Sequence, residues 1–317
     1  MNAIGVDVGG TKIAAAVVSP EGEILGETRY ATVAVPPNRL VDTISRAINE
    51  VRDGFEVGGV CVAVPGLILA AENKVVFAPN LHEIENIRLD REIGGATGLR
   101  VTVENDANAA AWGEFRFGAG KDVEHQVFIT LGTGVGGGII THGILLRGAQ
   151  GAGGELGHVT IHPTGPRCGC GNHGCLEVLA SGTAIRRRAR EVANERPNSA
   201  LGRLAIERDV LGEDVSRLAL EGDESSIAVL KETGRWLGIG LAGFVNMFNP
   251  EVIPVGGGAA QAGELVLGPA REEVRLRARS PSRELVRIVE ATLGPESGVL
   301  GAAALARSED GEYVLGT

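Results

Sequence analysis

The stretch IGVDVGGTKIAAAVV, residues 4–18, places one apolar strand before a glycine turn and a second apolar strand after it. The stretch VFITLGTGVGGGII, residues 127–140, repeats this design. Glycine lacks a Cβ, so several backbone N–H groups of such a turn can converge on an anion. Either hairpin alone is more simply explained as an ordinary β-hairpin. Both together, with a third glycine cluster at residues 256–258, predict two related halves whose turns face a nucleotide.

Strands and helices alternate along the chain between these hairpins. Residues 40–52 are apolar at helical spacing, and GGVCVAVPG (residues 58–66) reads as a buried strand with Cys61 as a small core residue. VTVEN (residues 101–105) is another predicted strand, and an alanine-rich helix follows it. This alternation predicts an α/β architecture.

The last third of the chain is mostly helical in pattern. A long helix is predicted to begin at a cap near Asp223 and to end before Asn249. EVIPVGGG (residues 251–258) is predicted to be a strand, and we expect a bulge at Pro254 because proline cannot donate to a sheet ladder.

Composition and charge exclude several classes of protein. The formal net charge of −10 argues against a nucleic-acid groove, which needs a basic face. The amino terminus lacks the pattern of a signal peptide, and no window has the eighteen or more apolar residues of a membrane span. We therefore expect a cytoplasmic protein with reduced thiols, and neither nucleic acid nor membrane as a partner.

The glycines of the second hairpin raise the question of the kind of nucleotide site. Gly132, Gly134 and Gly137 match G-x-G-x-x-G, but a Rossmann site needs a helix to begin there, and the sequence that follows is strand-like. A Walker loop is also absent from the sequence. The remaining hypothesis is a hairpin-type phosphate site, with Asp7 at a strand end where its carboxylate could hold Mg²⁺ through water.

Three of the four cysteines, Cys168, Cys170 and Cys175, lie close together in the sequence. Their C-x-C pair is too close for a relaxed disulfide, so a zinc site is favoured over a disulfide. The spacing leaves the fourth ligand open among His158, His162 and His173. Four protein ligands would leave no position for water, which makes the predicted zinc structural.

Asn105 and Asp106 lie where a predicted strand gives way to a predicted helix. Either residue type is favoured as a helix N-cap, and a carboxylate at a strand end can also act as a general base. The sequence favours neither interpretation.

Six motifs together resemble the ROK family (repressors, open reading frames and sugar kinases), and within it the bacterial glucokinases. They are D7-V-G-G-T-K12, E104-N-D-A-N-A-A-A111, L131-G-T-G-V-G-G-G138, E155-L-G-H158, C168-G-C-G-N-H-G-C-L-E177 and G256-G-G258. The resemblance covers nearly the whole chain. It implies an actin-like, hexokinase-like (ribonuclease H-like) α/β fold of two domains with a cleft between them. The small domain would comprise residues 1–105 and 300–317, and the large domain residues 106–299 with the zinc-binding loop.

The resemblance also implies phosphorylation of the 6-hydroxyl of glucose by Mg-ATP, giving glucose 6-phosphate and ADP. Alternatives are a kinase for mannose, N-acetylglucosamine or N-acetylmannosamine, and a sugar sensor without catalysis. A repressor of the same family is disfavoured by the net charge and by the six residues that precede Asp7. The glycines do not distinguish ATP from ADP or polyphosphate as donor. We also expect a homo-oligomer, either a dimer or a tetramer.

Residue by residue, the resemblance assigns four roles. Asp106 matches the catalytic base. The sugar contacts are Gly66, Asn80, Asn105, Asp106, Glu155, His158 and Glu177. The nucleotide contacts are Asp7, Gly9, Gly10, Thr11, Lys12, Gly132, Thr133, Gly134, Gly256, Gly257 and Gly258. The zinc ligands are His158, Cys168, Cys170 and Cys175, with His158 as the fourth ligand.

Overall fold

The computed structural model describes residues 1–32, 39–69, 72–78 and 81–307. Its strands are β1 (Asn2–Val8), β2 (Lys12–Val18), β3 (Ile24–Ala31), β4 (Val57–Val64), β5 (Leu67–Leu69), β6 (Lys74–Phe77), β7 (Val101–Asn105), β8 (Gln126–Leu131), β9 (Val135–Thr141), β10 (Ile144–Leu145), β11 (Val252–Gly256) and β12 (Arg287–Glu290). Its α-helices are α1 (Leu40–Val51), α2 (Leu89–Thr97), α3 (Asp106–Phe117), α4 (Glu177–Ala180), α5 (Gly182–Glu195), α6 (Ala200–Glu207), α7 (Gly212–Leu220), α8 (Glu224–Phe248), α9 (Glu264–Arg277), α10 (Ser282–Leu285) and α11 (Ser297–Ala306). The predicted α/β class is confirmed.

Packing divides the described residues into two compact units. The first lies within Met1–Asp122, Gly138–Gly154 and Leu293–Thr317, and the second comprises Val123–Gly137 and Glu155–Thr292. This division groups α3 with the first unit, whereas the sequence-based boundary at residues 105–106 assigned it to the large domain. As a statement about domains, that boundary stays a prediction.

The first unit is built on a five-stranded sheet of order β3-β2-β1-β4-β7. Strands β1, β2 and β3 pair antiparallel, and β4 pairs parallel with both β1 and β7. Because side chains alternate between the faces of a strand, β2 contributes to two cores. Val17 packs in the core that contains Ile44 and Ile48 of α1, and Val18 packs with Val299 of α11.

Glycines let α11 approach its neighbours in the first unit. A Cβ on Gly301 would lie 1.7 Å from the carbonyl oxygen of Ala109 in α3, and one on Gly5 would lie 1.9 Å from that of Val299. Side chains at these positions would require the backbones to move apart. The small residues of α11 are therefore a requirement of packing.

We expect Gly301→Ala to lower the free energy of unfolding by about 1–3 kcal/mol, the usual effect of overpacking a core. Gly95→Ala in α2 is the matched control, since no atom lies within 4 Å of the added Cβ. The free energy of unfolding of that control should rise by roughly 0.5–1 kcal/mol, because alanine has a higher helix propensity than glycine. Denaturant unfolding of both variants measures the difference. Equal stability of the two would contradict the close packing of α11.

The second sheet has the order β10-β9-β8-β11-β12, and β11 pairs parallel with β8 and β12. Pro254 lies inside β11 opposite Val289, and the register shows no shift against either neighbour. The predicted bulge is wrong. Proline removes one N–H donor, and the pairs at Val252 and Val255 hold the strand in place on both sides of it.

The predicted long helix is confirmed as α8. It begins after Asp223, whose Oδ2 accepts from the backbone N–H of Ser226 at 2.9 Å, and it ends at Asn249 in a left-handed conformation with φ of 46°. Among the described helices, none has the length and apolar character needed to cross a membrane.

Candidate active site

The turn between β1 and β2 forms the first predicted phosphate loop. The backbone N–H of Gly9 donates to the carbonyl oxygen of Lys12 at 2.8 Å, and the hydroxyl of Thr32 donates to the carbonyl oxygen of Gly9 at 2.8 Å. The first bond closes the turn from within, and the second holds it from the residue that follows β3. Gly10, Thr11 and Lys12 are exposed. The loop is therefore ordered and accessible.

Asp7 lies near the end of β1, beside the amino-terminal turn of α11. A Cβ on Gly298 would lie 2.9 Å from its Oδ2. Burial and the negative charge of Asp106 raise the pKa of Asp7 to about 6, while Lys12 opposes the rise. Burial also raises the pKa of Asp106. The negative charge of Asp106 thus disfavours the ionised form of Asp7, and a bound cation would offset that repulsion.

Asp7→Asn should therefore stabilise the protein in the absence of nucleotide and Mg²⁺. A carboxylate whose pKa rises on folding destabilises the folded state once it is ionised. That destabilisation grows as pH rises from about 4 to about 6 and is complete above that range. We expect a higher melting temperature than wild type at pH 8 and a gain that disappears at pH 4. A gain of equal size at both values would contradict the assigned cause.

The corner between β7 and α3 holds Asn105 and Asp106. The Oδ1 of Asn105 accepts from the backbone N–H groups of Ala107 and Asn108 at 2.9 and 3.0 Å, so Asn105 is the N-cap. Its Nδ2 donates to the carbonyl oxygen of Gly66 at 3.0 Å. The cap is thus supplied without Asp106, whose own Oδ1 accepts from Ala107 at 2.9 Å.

Gly66 adopts a φ of 112°, and a Cβ there would lie 2.0 Å from the carbonyl oxygen of Phe77. No other residue fits this turn, so the carbonyl that holds Asn105 depends on glycine. The predicted sugar contact Asn80 lies outside the described residues.

The second predicted phosphate loop, Gly132, Thr133 and Gly134, joins β8 to β9 in the second unit. The carbonyl oxygen of Gly132 accepts from the backbone N–H of Gly182, and that of Thr133 from the hydroxyl of Thr183, both at 2.8 Å. The amino-terminal end of α5 therefore lies against this loop. Helix amino termini favour phosphate, and the sequence pattern did not indicate that this one lies here.

The third glycine segment lies beside the second. Gly257 adopts a φ of 87°, and a Cβ on it would lie 2.5 Å from the carbonyl oxygen of Leu131, the residue before Gly132. Gly256 ends β11, which is parallel to β8. The predicted phosphate and adenosine segments are therefore neighbours at the carboxyl ends of parallel strands.

The predicted zinc ligands come together in the second unit. The ligand atoms of His158, Cys168, Cys170 and Cys175 all lie within 4.8 Å of one another. The Sγ atoms of Cys170 and Cys175 are 3.7 Å apart, and Cys168 Sγ is 3.6 Å from His158 Nδ1. A tetrahedron with Zn–S bonds of about 2.3 Å has edges of about 3.8 Å. The geometry fits zinc, and all four cysteines are free of disulfides.

The other two candidate histidines are engaged elsewhere. His162 stacks on Trp236 of α8 with ring centroids 5.3 Å apart. His173 Nδ1 lies 3.2 Å from the carbonyl oxygen of Gly165. Of the three candidates, His158 is the one whose ring nitrogen lies with the three sulfurs, and its role as fourth ligand stays a prediction. Cys61 is buried in β4, where burial raises the pKa of its thiol to about 12, as suits a core residue.

Glu177 links the Cys–His cluster to the second predicted phosphate loop, a link that the sequence did not reveal. Its Oε2 accepts from the backbone N–H of Val135 at 3.1 Å, and Cys168 Sγ lies 3.7 Å from its Oε1. His158 Nε2 lies 4.0 Å from Glu155 Oε2. Of the predicted sugar contacts, His158 belongs to this cluster, and Glu155 and Glu177 lie beside it.

Comparison with known proteins identifies the family of this chain. The sequence profile of the ROK family matches residues 3–309. The chain belongs to the ROK family. The prediction of membership is confirmed.

Individual relatives agree over nearly full length. The glucokinase of Streptomyces coelicolor is 41% identical over 312 residues, covering 97% of this chain and 98% of the relative. The solved structure of a ROK family glucokinase from Streptomyces griseus, in complex with glucose and AMPPNP, matches with a TM-score of 0.84 and 41% identity, covering 97% of this chain and 99% of that one. The ROK hexokinase from Thermus thermophilus matches with a TM-score of 0.79 and 34% identity. The match covers 96% of this chain and 98% of that one. The predicted actin-like, hexokinase-like fold is confirmed.

Proposed function

We propose that the protein is an ATP-dependent sugar kinase that phosphorylates the 6-hydroxyl of glucose, giving glucose 6-phosphate and ADP. The observation that carries the proposal is the 41% identity to a glucokinase over 97% of this chain. A relative of equal identity was solved with glucose and AMPPNP. The ordered glycine loops and the carboxylate at the β7–α3 corner supply the chemistry that such a reaction needs.

Asp106 is assigned as the general base that orients the sugar hydroxyl and takes its proton. In its support, the cap of α3 comes from Asn105, which leaves the carboxylate of Asp106 available for this role. Burial raises its pKa, which makes the carboxylate a stronger proton acceptor than an exposed aspartate. The sugar contacts are Gly66, Asn80, Asn105, Glu155, His158 and Glu177.

The nucleotide is assigned to the three glycine segments. Gly9, Gly10, Thr11 and Lys12, with Gly132, Thr133 and Gly134, would bind phosphates, and Gly256, Gly257 and Gly258 the adenosine end. Mg²⁺ bound with ATP would neutralise charge on the transferred phosphoryl group. Asp7 would hold that ion through water, and its place near the end of β1 before the glycine turn, with the negative charge of Asp106 acting on it, supports the assignment.

His158, Cys168, Cys170 and Cys175 are assigned to a structural zinc ion. The donor set of three sulfurs and one imidazole suits zinc and closes its tetrahedron. Zinc-binding thiols must stay reduced, which fits the predicted cytoplasmic location. The homo-oligomeric state stays a prediction.

A coupled assay of ADP release over a panel of hexoses and N-acetylhexosamines tests the proposal. We expect glucose to have the highest kcat/KM. A higher value for mannose, N-acetylglucosamine or N-acetylmannosamine would change the substrate and keep the reaction class. Absence of ADP release with every sugar would contradict a kinase.

A further inference from the structure

A buried ion pair lies behind the β7–α3 corner, within the first unit. Arg147 Nε donates to Glu104 Oε2 at 2.7 Å, and the two side chains are 13% and 6% exposed. Removing two charges from water is unfavourable, and apolar residues of similar volume often stabilise a core equally well. Stability alone therefore explains this pair poorly.

The other oxygen of Glu104 leads to the corner itself. Glu104 Oε1 accepts from the backbone N–H of Asn105 at 3.0 Å and from Asn108 Nδ2 at 3.0 Å. Asn105 precedes Asp106, and Asn108 lies in the first turn of α3. One carboxylate thus holds the end of the strand and the start of the helix together.

The network continues from the corner to the turn at Gly66. Asn105 caps α3 through Oδ1 and donates from Nδ2 to the carbonyl oxygen of Gly66. Glu104 fixes the backbone of Asn105, while Gly66 and α3 fix its side chain. The orientation of Asn105 and of the adjoining Asp106 therefore depends on Glu104.

We propose that Glu104 is a positioning residue for the base Asp106 and the sugar contact Asn105, and that Arg147 holds Glu104 in place. The inference rests on the proposed function. It deepens that function by adding two residues that act through others and do not touch the substrate.

The charge of Glu104 is required because donors converge on it from two sides. Glutamine in its place has one acceptor oxygen, so its NH₂ group must face either Arg147 or the pair formed by Asn105 and Asn108. One set of donors loses its acceptor, and the corner shifts. A displacement of about 1 Å near reacting groups can lower the rate by about a hundredfold.

The test compares Glu104→Gln, Arg147→Lys and Arg147→Met with wild type in the full-length protein. We expect Glu104→Gln and Arg147→Met to lower kcat and raise the KM for glucose, with kcat/KM for glucose falling about ten- to a hundredfold. The KM for ATP should stay near wild type. Arg147→Lys keeps the positive charge and should recover part of the loss.

Asp214→Asn is the matched control. Asp214 is a buried carboxylate of α7 that accepts from Arg208 at 2.6 and 2.7 Å in the second unit. Its loss should lower the melting temperature and leave the glucose KM and kcat near wild type.

Separate outcomes address the two proposals. Glu104→Gln or Arg147→Met with a lower melting temperature but wild-type kcat and glucose KM would show a structural role and overturn the positioning role. If Glu104→Gln does not fold, the comparison of Arg147→Lys with Arg147→Met tests the proposal. Equal kcat and glucose KM in these two folded variants would also overturn the positioning role. A wild-type protein without hexose turnover would overturn the proposed function itself.

Discussion

Asp106→Asn should lower kcat for glucose phosphorylation by about 10²–10⁴-fold, the range that a general base contributes. Asparagine has the same shape, and its Oδ1 can still accept from the backbone N–H of Ala107. Asn105 continues to cap α3, so the fold of the corner should be kept. What the variant loses is the group that accepts the proton.

Glucose affinity separates this loss from a loss of binding. Isothermal titration calorimetry of Asp106→Asn should give a glucose dissociation constant within a few-fold of wild type. Asp209→Asn is the control for the same chemical change at a side chain that is 75% exposed, and it should keep wild-type kcat.

The pH profile gives an independent readout of the same substitution. Wild-type kcat/KM should fall on the acid side, at a pH above the usual range of an aspartate, because burial raises the pKa of Asp106 and only the ionised form accepts a proton. The residual activity of Asp106→Asn should not show this fall in kcat/KM on the acid side. An unchanged kcat, or an unchanged acid limb, would remove Asp106 from the role of base.

The features of the site that the sequence predicted are local. The turns at residues 9–12 and 132–134 follow from glycines between apolar strands, and both form as expected. The Asn105–Asp106 pair also lies at its predicted strand-to-helix corner. Each depends on a few consecutive residues, which is why one sequence was enough to locate them.

What the sequence did not predict depends on contacts between distant residues. Arg147 and Glu104 are 43 positions apart, and Val135 and Glu177 are 42 apart. His158 has a ring nitrogen beside the three sulfurs, whereas His162 stacks on Trp236 of α8, and spacing cannot show either placement. The available signal for Glu104 was a charged residue inside the predicted strand VTVEN.

Cys168→Ala should abolish stoichiometric zinc and weaken glucose binding about ten- to a hundredfold, the range seen when the surroundings of a metal site are disturbed. Cys168 is buried, 3.6 Å from His158 and 3.7 Å from Glu177. Without its thiolate, no metal bond offsets the conformational entropy lost when the loop is ordered, roughly 1–2 kcal/mol per residue. His158, Glu155 and Glu177 would then lose their fixed positions.

Metal analysis of the purified protein and glucose calorimetry measure the two effects on one sample. Cys61→Ala is the matched control, because it removes a buried cysteine outside the cluster and should keep one zinc per chain. Melting temperature should fall in both variants, so it does not discriminate between them. Zinc content and glucose affinity do.

Nucleotide binding provides the sharper comparison, because Glu177 connects the cluster to the loop at Gly134. Its Oε2 holds the backbone N–H of Val135 and lies 2.3 Å from where a Cβ of Gly134 would be. If the metal orders the loop through Glu177, Cys168→Ala should also weaken AMPPNP binding, by less than it weakens glucose binding. A zinc-free variant with wild-type affinity for both ligands would show that packing of the loop on α8 is sufficient, and the metal would then have no part in forming the site.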